Sequence, residues 1–254
     1  MAAQRSREVS RRRVLGWATS TATFAGGMTI GLPGRAVAAP AGGITGDPGA
    51  PHTTAARPAS QVHDVRPGVA PDAIALTIDD GPHPLWTPPM LDLLDRNGIR
   101  ATFSLIGAQA HAHPDLVKRI LAEGHDLCNH SMTHPQPFSR RAPETIRQQI
   151  ADAQSAIVDA GGVPPQLFRA PGGDWSAAVL SAVADFRMVP IGWDIDPRDW
   201  SRPGTALVTS RLLAARPGDI LLCHDGGGDR AQTIESLSAV LPVLKSRGLE
   251  FVTL

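Results

Sequence analysis

The sequence predicts an α/β protein, a distorted parallel (β/α) barrel of about seven strands, and three observations point there. From Asp72 to Leu254, short apolar runs alternate with amphipathic stretches, which is the pattern of βα units. A chain of 254 residues with 42% hydrophobic residues is large enough to bury one barrel-sized core. Five apolar runs also end in reactive side chains. Ile74–Ile78 leads into Asp79-Asp80-Gly81, and His125–Asn129 into His130; Gln166–Phe168 leads into Arg169, Met188–Ile195 into Asp196 and Asp199, and Asp219–Cys223 into His224. Strands of a parallel barrel all point one way, so residues just past their C-terminal ends converge on the face where barrel enzymes keep their sites.

Residues 1–38 read as an export leader. A basic stretch containing Ser10-Arg11-Arg12-Arg13-Val14-Leu15 precedes an apolar run from Trp17 to Leu32, and Ala36-Val37-Ala38 supplies a small-residue cleavage site. The Ser-Arg-Arg-x-Val-Leu order resembles a twin-arginine signal, which implies export of a folded protein that is then secreted or associated with the cell wall. Gly, Thr and Pro interrupt the apolar run too often for a permanent membrane span. Removing the leader takes away six arginines and one glutamate, leaving 18 basic and 23 acidic residues and a net charge near −5. That balance argues against nucleic-acid binding by charge. Residues 39–71 are rich in Ala, Pro, Gly and Thr without apolar periodicity and read as a disordered linker. One domain is expected over residues 72–254, as a monomer.

The expected strands are Ile74–Ile78, Ala101–Ile106, His125–Asn129, Gln166–Arg169, Met188–Ile195, Asp219–Cys223 and Leu249–Leu254. Helices are expected between most of them. One opens at Pro88-Pro89 and stops at Gly98, the next opens at Pro114 and stops at Gly124, and the third runs from Pro143-Glu144 to Gly161-Gly162. The last spans Thr233 to Arg247, with Ile234, Leu237, Leu241 and Leu244 on one face and Gly248 ending it. The only cysteines, Cys128 and Cys223, sit in apolar runs beside histidines and read as buried free thiols rather than a disulfide.

Asp79-Asp80-Gly81-Pro82 places two carboxylates at a strand end, where the following turn lets both swing toward one centre. A cation would relieve their repulsion, with one acid ligating and the other free as a base. His130 and His134 are four apart, which sets two imidazoles on one face of a helical turn, close enough to share a metal. Two histidines and a carboxylate form a facial ligand set with open positions for water and substrate.

Thr77-Ile78-Asp79-Asp80-Gly81, His130-Ser131-x-x-His134, Arg169-Ala170-Pro171-Gly172-Gly173, Asp196-x-x-Asp199-Trp200 and Leu222-Cys223-His224 occur in that order. Together they resemble the NodB-type polysaccharide deacetylases of carbohydrate esterase family four, over roughly Ile74 to Leu254. The resemblance implies that Asp80, His130 and His134 bind a divalent metal, usually Zn2+ with Co2+ as an alternative, and that Asp79 is the general base. It implies His224 as general acid oriented by Asp199, Arg169 as the residue holding Asp79, and Trp200 and Leu222 as walls of the acetyl pocket. It also gives the backbone N–H of Gly172 to the oxyanion. Two positions depart from the family pattern: Ile78 stands where Phe is common, and Gly172 where Tyr is frequent. The second removes a side chain from the substrate groove.

The implied activity is removal of N-acetyl groups from N-acetylglucosamine-type residues of peptidoglycan or a chito-oligosaccharide. O-deacetylation of acetylated xylan by the same site is the nearest alternative. A glycan-binding protein of the same fold without turnover is a further one; the presence of both Asp79 and His224 speaks against it.

Overall fold

The structure, a computed structural model, describes residues 57–254. The expected leader and the first part of the expected linker lie outside these residues. Seven strands form where the apolar runs predict them: β1 (Ala73–Asp79), β2 (Thr102–Leu105), β3 (Asp126–Asn129), β4 (Leu167–Phe168), β5 (Val189–Pro190), β6 (Ile220–His224) and β7 (Glu250–Phe251). They pair in the order β5-β4-β3-β2-β1-β6, with β7 on the first residues of β1, and every ladder is parallel. The longest ladder joins β1 to β6 and makes Asp79 and His224 register partners.

The Met188–Ile195 run, expected as one strand, divides. Val189–Pro190 pairs with β4, whereas Ile195 forms a parallel bridge with Leu221 of β6, and the Leu222 N–H donates to the Ile195 carbonyl at 2.9 Å. One run therefore serves both edges of the sheet, and the sheet curls into a distorted barrel. The side chains alternate accordingly. On β1, Ile74, Leu76 and Ile78 join the cluster under the helices, while Ala73 and Ala75 face the barrel interior with Leu167, Ile191, Ile220 and Leu254. On β6, Ile220 is interior and Leu221 and Cys223 are exterior. Asp79 and His224 inherit the interior parity of these strands.

The helices are α1 (Val62–Val65), α2 (Thr87–Asn97), α3 (Gly107–Ala112), α4 (Pro114–Ala122), α5 (Pro143–Gly161), α6 (Ala177–Asp185), α7 (Thr205–Leu212) and α8 (Ala231–Ser246). The four expected helices are α2, α4, α5 and α8. Left-handed Gly98 and Gly162 end α2 and α5, as their sequence positions suggest. Three longer helices went unread: α3, α6, which Ser176 caps by accepting the Val179 N–H, and α7. None of the helices is long and apolar enough to cross a membrane among the described residues.

The expected linker is corrected at its C-terminal end. Ala59 pairs with Ile191, Val62 N–H donates to Gly218 O at 2.8 Å, and α1 drives Val62 and Val65 into the interior cluster. Two valines one helical turn apart give this short piece an apolar face that composition over 33 residues hides. It fills the barrel interior beneath the small side chains Ala73 and Ala75.

Candidate active site

Asp79 ends β1 and is 3% exposed. Asp80 follows with φ +75°, a left-handed turn that breaks strand alternation and brings the second carboxylate to the same side. This is how adjacent acids come to share one cleft.

Arg169, directly after β4, is fully buried and points inward. Its Nη1 donates to Thr77 Oγ1 and Asp79 Oδ1, each at 2.7 Å, and its Nη2 to Gly192 O at 2.7 Å. The guanidinium also lies over the Trp193 ring, 5.5 Å from its centroid. Burial pushes the Asp79 carboxyl upward, but the charges of Arg169 first and then His130 and His224 hold it below the ordinary value. Asp79 stays ionised in a dry place.

His130 and His134 approach to 4.8 Å between ring centroids, but not on a helical turn as expected. Residues 130–134 form an irregular loop in which Ser131 and His134 both have positive φ. The Ser131 N–H donates to Asn129 Oδ1, and the Ser131 hydroxyl accepts the His134 N–H, so side chains stabilise the loop. The Arg169 carbonyl can only accept, so the 2.8 Å contact with His130 Nδ1 puts the proton on Nδ1 and leaves Nε2 with its lone pair. His130 Nε2 and His134 Nε2 stand 3.6 and 3.4 Å from Asp80 Oδ1. That oxygen is buried without a hydrogen-bond partner, and the three ligand atoms lie within 4.8 Å of one another. An orphaned carboxylate oxygen facing two imidazole nitrogens fits a divalent cation, and the His130 bond to a carbonyl is the outer support that metal-binding histidines carry. Burial, then neighbouring His130, lowers the His134 pKa, which favours the neutral form a ligand needs.

His224 ends β6 opposite Asp79. Its Nδ1 and its backbone N–H both reach Asp199, at 2.7 and 2.9 Å. Burial lowers the imidazole pKa, but the bond to Asp199 and the charge of that carboxylate override it and raise the pKa above the usual histidine value. Asp199 opens a 3₁₀ turn, Asp199–Ser201, and its Oδ2 also accepts the Thr233 hydroxyl at 2.9 Å. Thr233 was expected only as the start of a helix; a single threonine at a helix start carries no sequence signal for this contact.

A cleft of about 430 Å³ gathers Asp79, Asp80, His130, His134 and His224 with Gly172, Trp200 and Leu222. Leu222 is buried on the interior face of β6, while Trp200 is 47% exposed at the rim. Gly172 has φ +64°, and a side chain there would strike Gln136, whose Nε2 would be 2.8 Å from the added carbon. Arg169 and Asp199 stand behind the cleft wall and act through Asp79 and His224. Gln136, Trp193 and Arg230 also line the cleft and were not singled out in the sequence. Asp225 is buried beside Asp80; burial pushes its carboxyl up to about 7, and it accepts the Thr87 hydroxyl at 2.5 Å. Cys128 and Cys223 are buried free thiols on opposite faces of the sheet.

A parallel barrel whose strand ends bring a buried carboxylate and a carboxylate-supported histidine into one cleft with a candidate three-ligand cation site is the frame of a hydrolytic enzyme. The polysaccharide deacetylase family model matches residues 67–191. A chitooligosaccharide deacetylase of Bradyrhizobium sp. (strain ANU 289) is 41% identical over 70% of this chain and 87% of its own length. A peptidoglycan-N-acetylglucosamine deacetylase of Bacillus cereus is 42% identical over 71% of this chain and 85% of its own. The structure of a family 4 acetyl xylan esterase from Clostridium thermocellum, in complex with a cobalt ion, superposes with TM-score 0.67 at 32% identity over 71% and 87% of the two chains. The chain belongs to the polysaccharide deacetylase family.

Proposed function

We propose that the protein removes N-acetyl groups by hydrolysis from N-acetylglucosamine residues of peptidoglycan or a chitin-like glycan. The observation that carries this reading is the placement of Asp79 and His224, register partners on adjacent strands, in one cleft with the Asp80, His130 and His134 cluster. The names of the bacterial relatives support the N-acetylglucosamine substrate. An export leader at residues 1–38 would bring the protein to such glycans.

Asp80, His130 and His134 would hold a divalent cation, zinc or cobalt, which supplies Lewis acidity to the acetyl carbonyl and to a water. Asp79, kept ionised by Arg169, accepts the proton of that water as its oxygen attacks the carbonyl carbon. His224, kept protonated by Asp199, gives its proton to the glucosamine nitrogen as the C–N bond breaks, and acetate leaves. Gly172 offers its backbone N–H to the carbonyl oxygen as it gains charge. Trp200 and Leu222 enclose the acetyl methyl.

Acetate release from peptidoglycan, chito-oligosaccharides and acetylxylan, each with and without a chelator, ranks the substrates. Chelator-sensitive release from the first two is expected, greater than from acetylxylan; no chelator-sensitive release from any of them overturns the reading. Asp79→Asn should lower turnover by on the order of 10²-fold or more while metal content is retained. A variant that keeps wild-type turnover removes Asp79 from the role of base.

A further inference from the structure

Gln136 borders two cavities. One is the catalytic cleft; the other, of about 380 Å³, is lined by Gln136, Pro137, Pro171, Gly172 and Asp174, so the two adjoin at Gln136 and Gly172. Both volumes fall within the roughly 300–1,000 Å³ of small-ligand sites. Gly172 has φ +64°, and a carbon added to it would stand 2.8 Å from Gln136 Nε2. The Gln136 amide therefore fills the space that a side chain at position 172 would enter, and it stands at the junction of the two cavities. The Gln136 carbonyl accepts from Arg141 Nη2 at 3.2 Å, but the side-chain amide has no hydrogen-bond partner among the described residues. Two donors and one acceptor are left for a ligand.

The rest of the second cavity suits a sugar. Asp174 Oδ2 accepts the Ser139 N–H at 2.8 Å, which ties the loop carrying Gln136 to the end of the Pro171–Gly173 turn. The carboxylate keeps lone pairs for a further donor, such as a hydroxyl. Pro137 and Pro171 supply the apolar part of the lining, against which the C–H face of a sugar ring can pack. No positively charged side chain lines this cavity, so an anionic group would meet Asp174 without compensation. An uncharged sugar unit fits this lining better.

We infer that this cavity is a second sugar subsite that holds the glycan unit next to the reacting one, and that Gln136 selects the substrate by bonding at the junction between the two units. This rests on the glycan substrate proposed above.

The test measures kcat/KM for acetate release from N-acetylglucosamine oligomers, from the dimer to the hexamer, with wild type, Gln136→Leu and Asp174→Ala. On wild type, kcat/KM should rise in one step, mostly through KM, where the oligomer becomes long enough to fill both cavities. Gln136→Leu should shrink that step by roughly 2–10-fold, the scale of one neutral hydrogen bond, and Asp174→Ala by at least as much, because a bond to a carboxylate is charge-assisted. A wild type without the step overturns the inference. So does a step that survives in either folded variant, or a loss by one common factor at every length, which is what purely structural damage would give. Melting temperature and bound metal are followed for each variant; the two substitutions lie in different loops, so if one variant fails to fold the other still decides. Wild type that releases no acetate from any glycan overturns the substrate reading and this inference with it; release without a length step overturns this inference alone.

Discussion

Asp79 and His224 are each pushed by burial toward the neutral form, and each is overruled by its neighbours, of which one leads. For Asp79 that neighbour is Arg169, and for His224 it is Asp199. The sign of a pH effect follows. In the proposed reaction His224 is the general acid and must be protonated; Asp199 raises its pKa, so activity is expected to persist to higher pH than an ordinary histidine allows. Asp199→Asn should therefore move the basic limb of the kcat/KM profile to lower pH and lower kcat by on the order of 10²-fold. An unmoved limb in this variant would separate Asp199 from the titration of His224. Much of the candidate site was legible in the sequence because Asp79, His130, Arg169 and His224 each directly follow an apolar run, and a parallel barrel converts that position into convergence. Arg230 and Thr233 were not legible. Both lie at or beside a helix start, and what singles them out is the burial of a charge and one contact to Asp199, which only the folded chain supplies.

At the scale of elements, the first strand could be read because interior and exterior apolar residues follow one another from Ala73 to Leu76. The histidine pair was misread as a helical turn, since a spacing of four suits a helix and equally suits a loop with two positive φ angles. The short helix α1 was missed for a different reason: its contribution lies in two valines, too few to show as periodicity. Its role in stability is open to measurement. Val62 is fully buried among interior side chains, and Val62→Ala removes two methyl groups, a cost of about 2 kcal/mol. Thermal unfolding of the full chain should fall by roughly 4–8 °C. An unchanged melting temperature would show that the segment packs on the barrel without supporting it.

Across the whole molecule, the cation cluster links the end of β1 to the loop after β3, so a bound ion would oppose unfolding as well as serve chemistry. With the ion at about a hundred times its dissociation constant, binding contributes roughly 2.7 kcal/mol. Stripping the protein with a chelator should then lower its melting temperature by about 5–10 °C, restored by added zinc or cobalt. A melt indifferent to chelator would leave the cluster without a structural ion. Arg169 carries the same coupling of chemistry and frame further. Its side chain holds β1 through Thr77 and Asp79 and the chain after β5 through Gly192, and its own carbonyl fixes His130 after β3. A change there cannot alter reactivity alone, because it also loosens three walls of the barrel. Freedom to acquire a new substrate range is therefore confined to the rim, where Gln136 and Trp200 face the cleft and can vary without unfastening it.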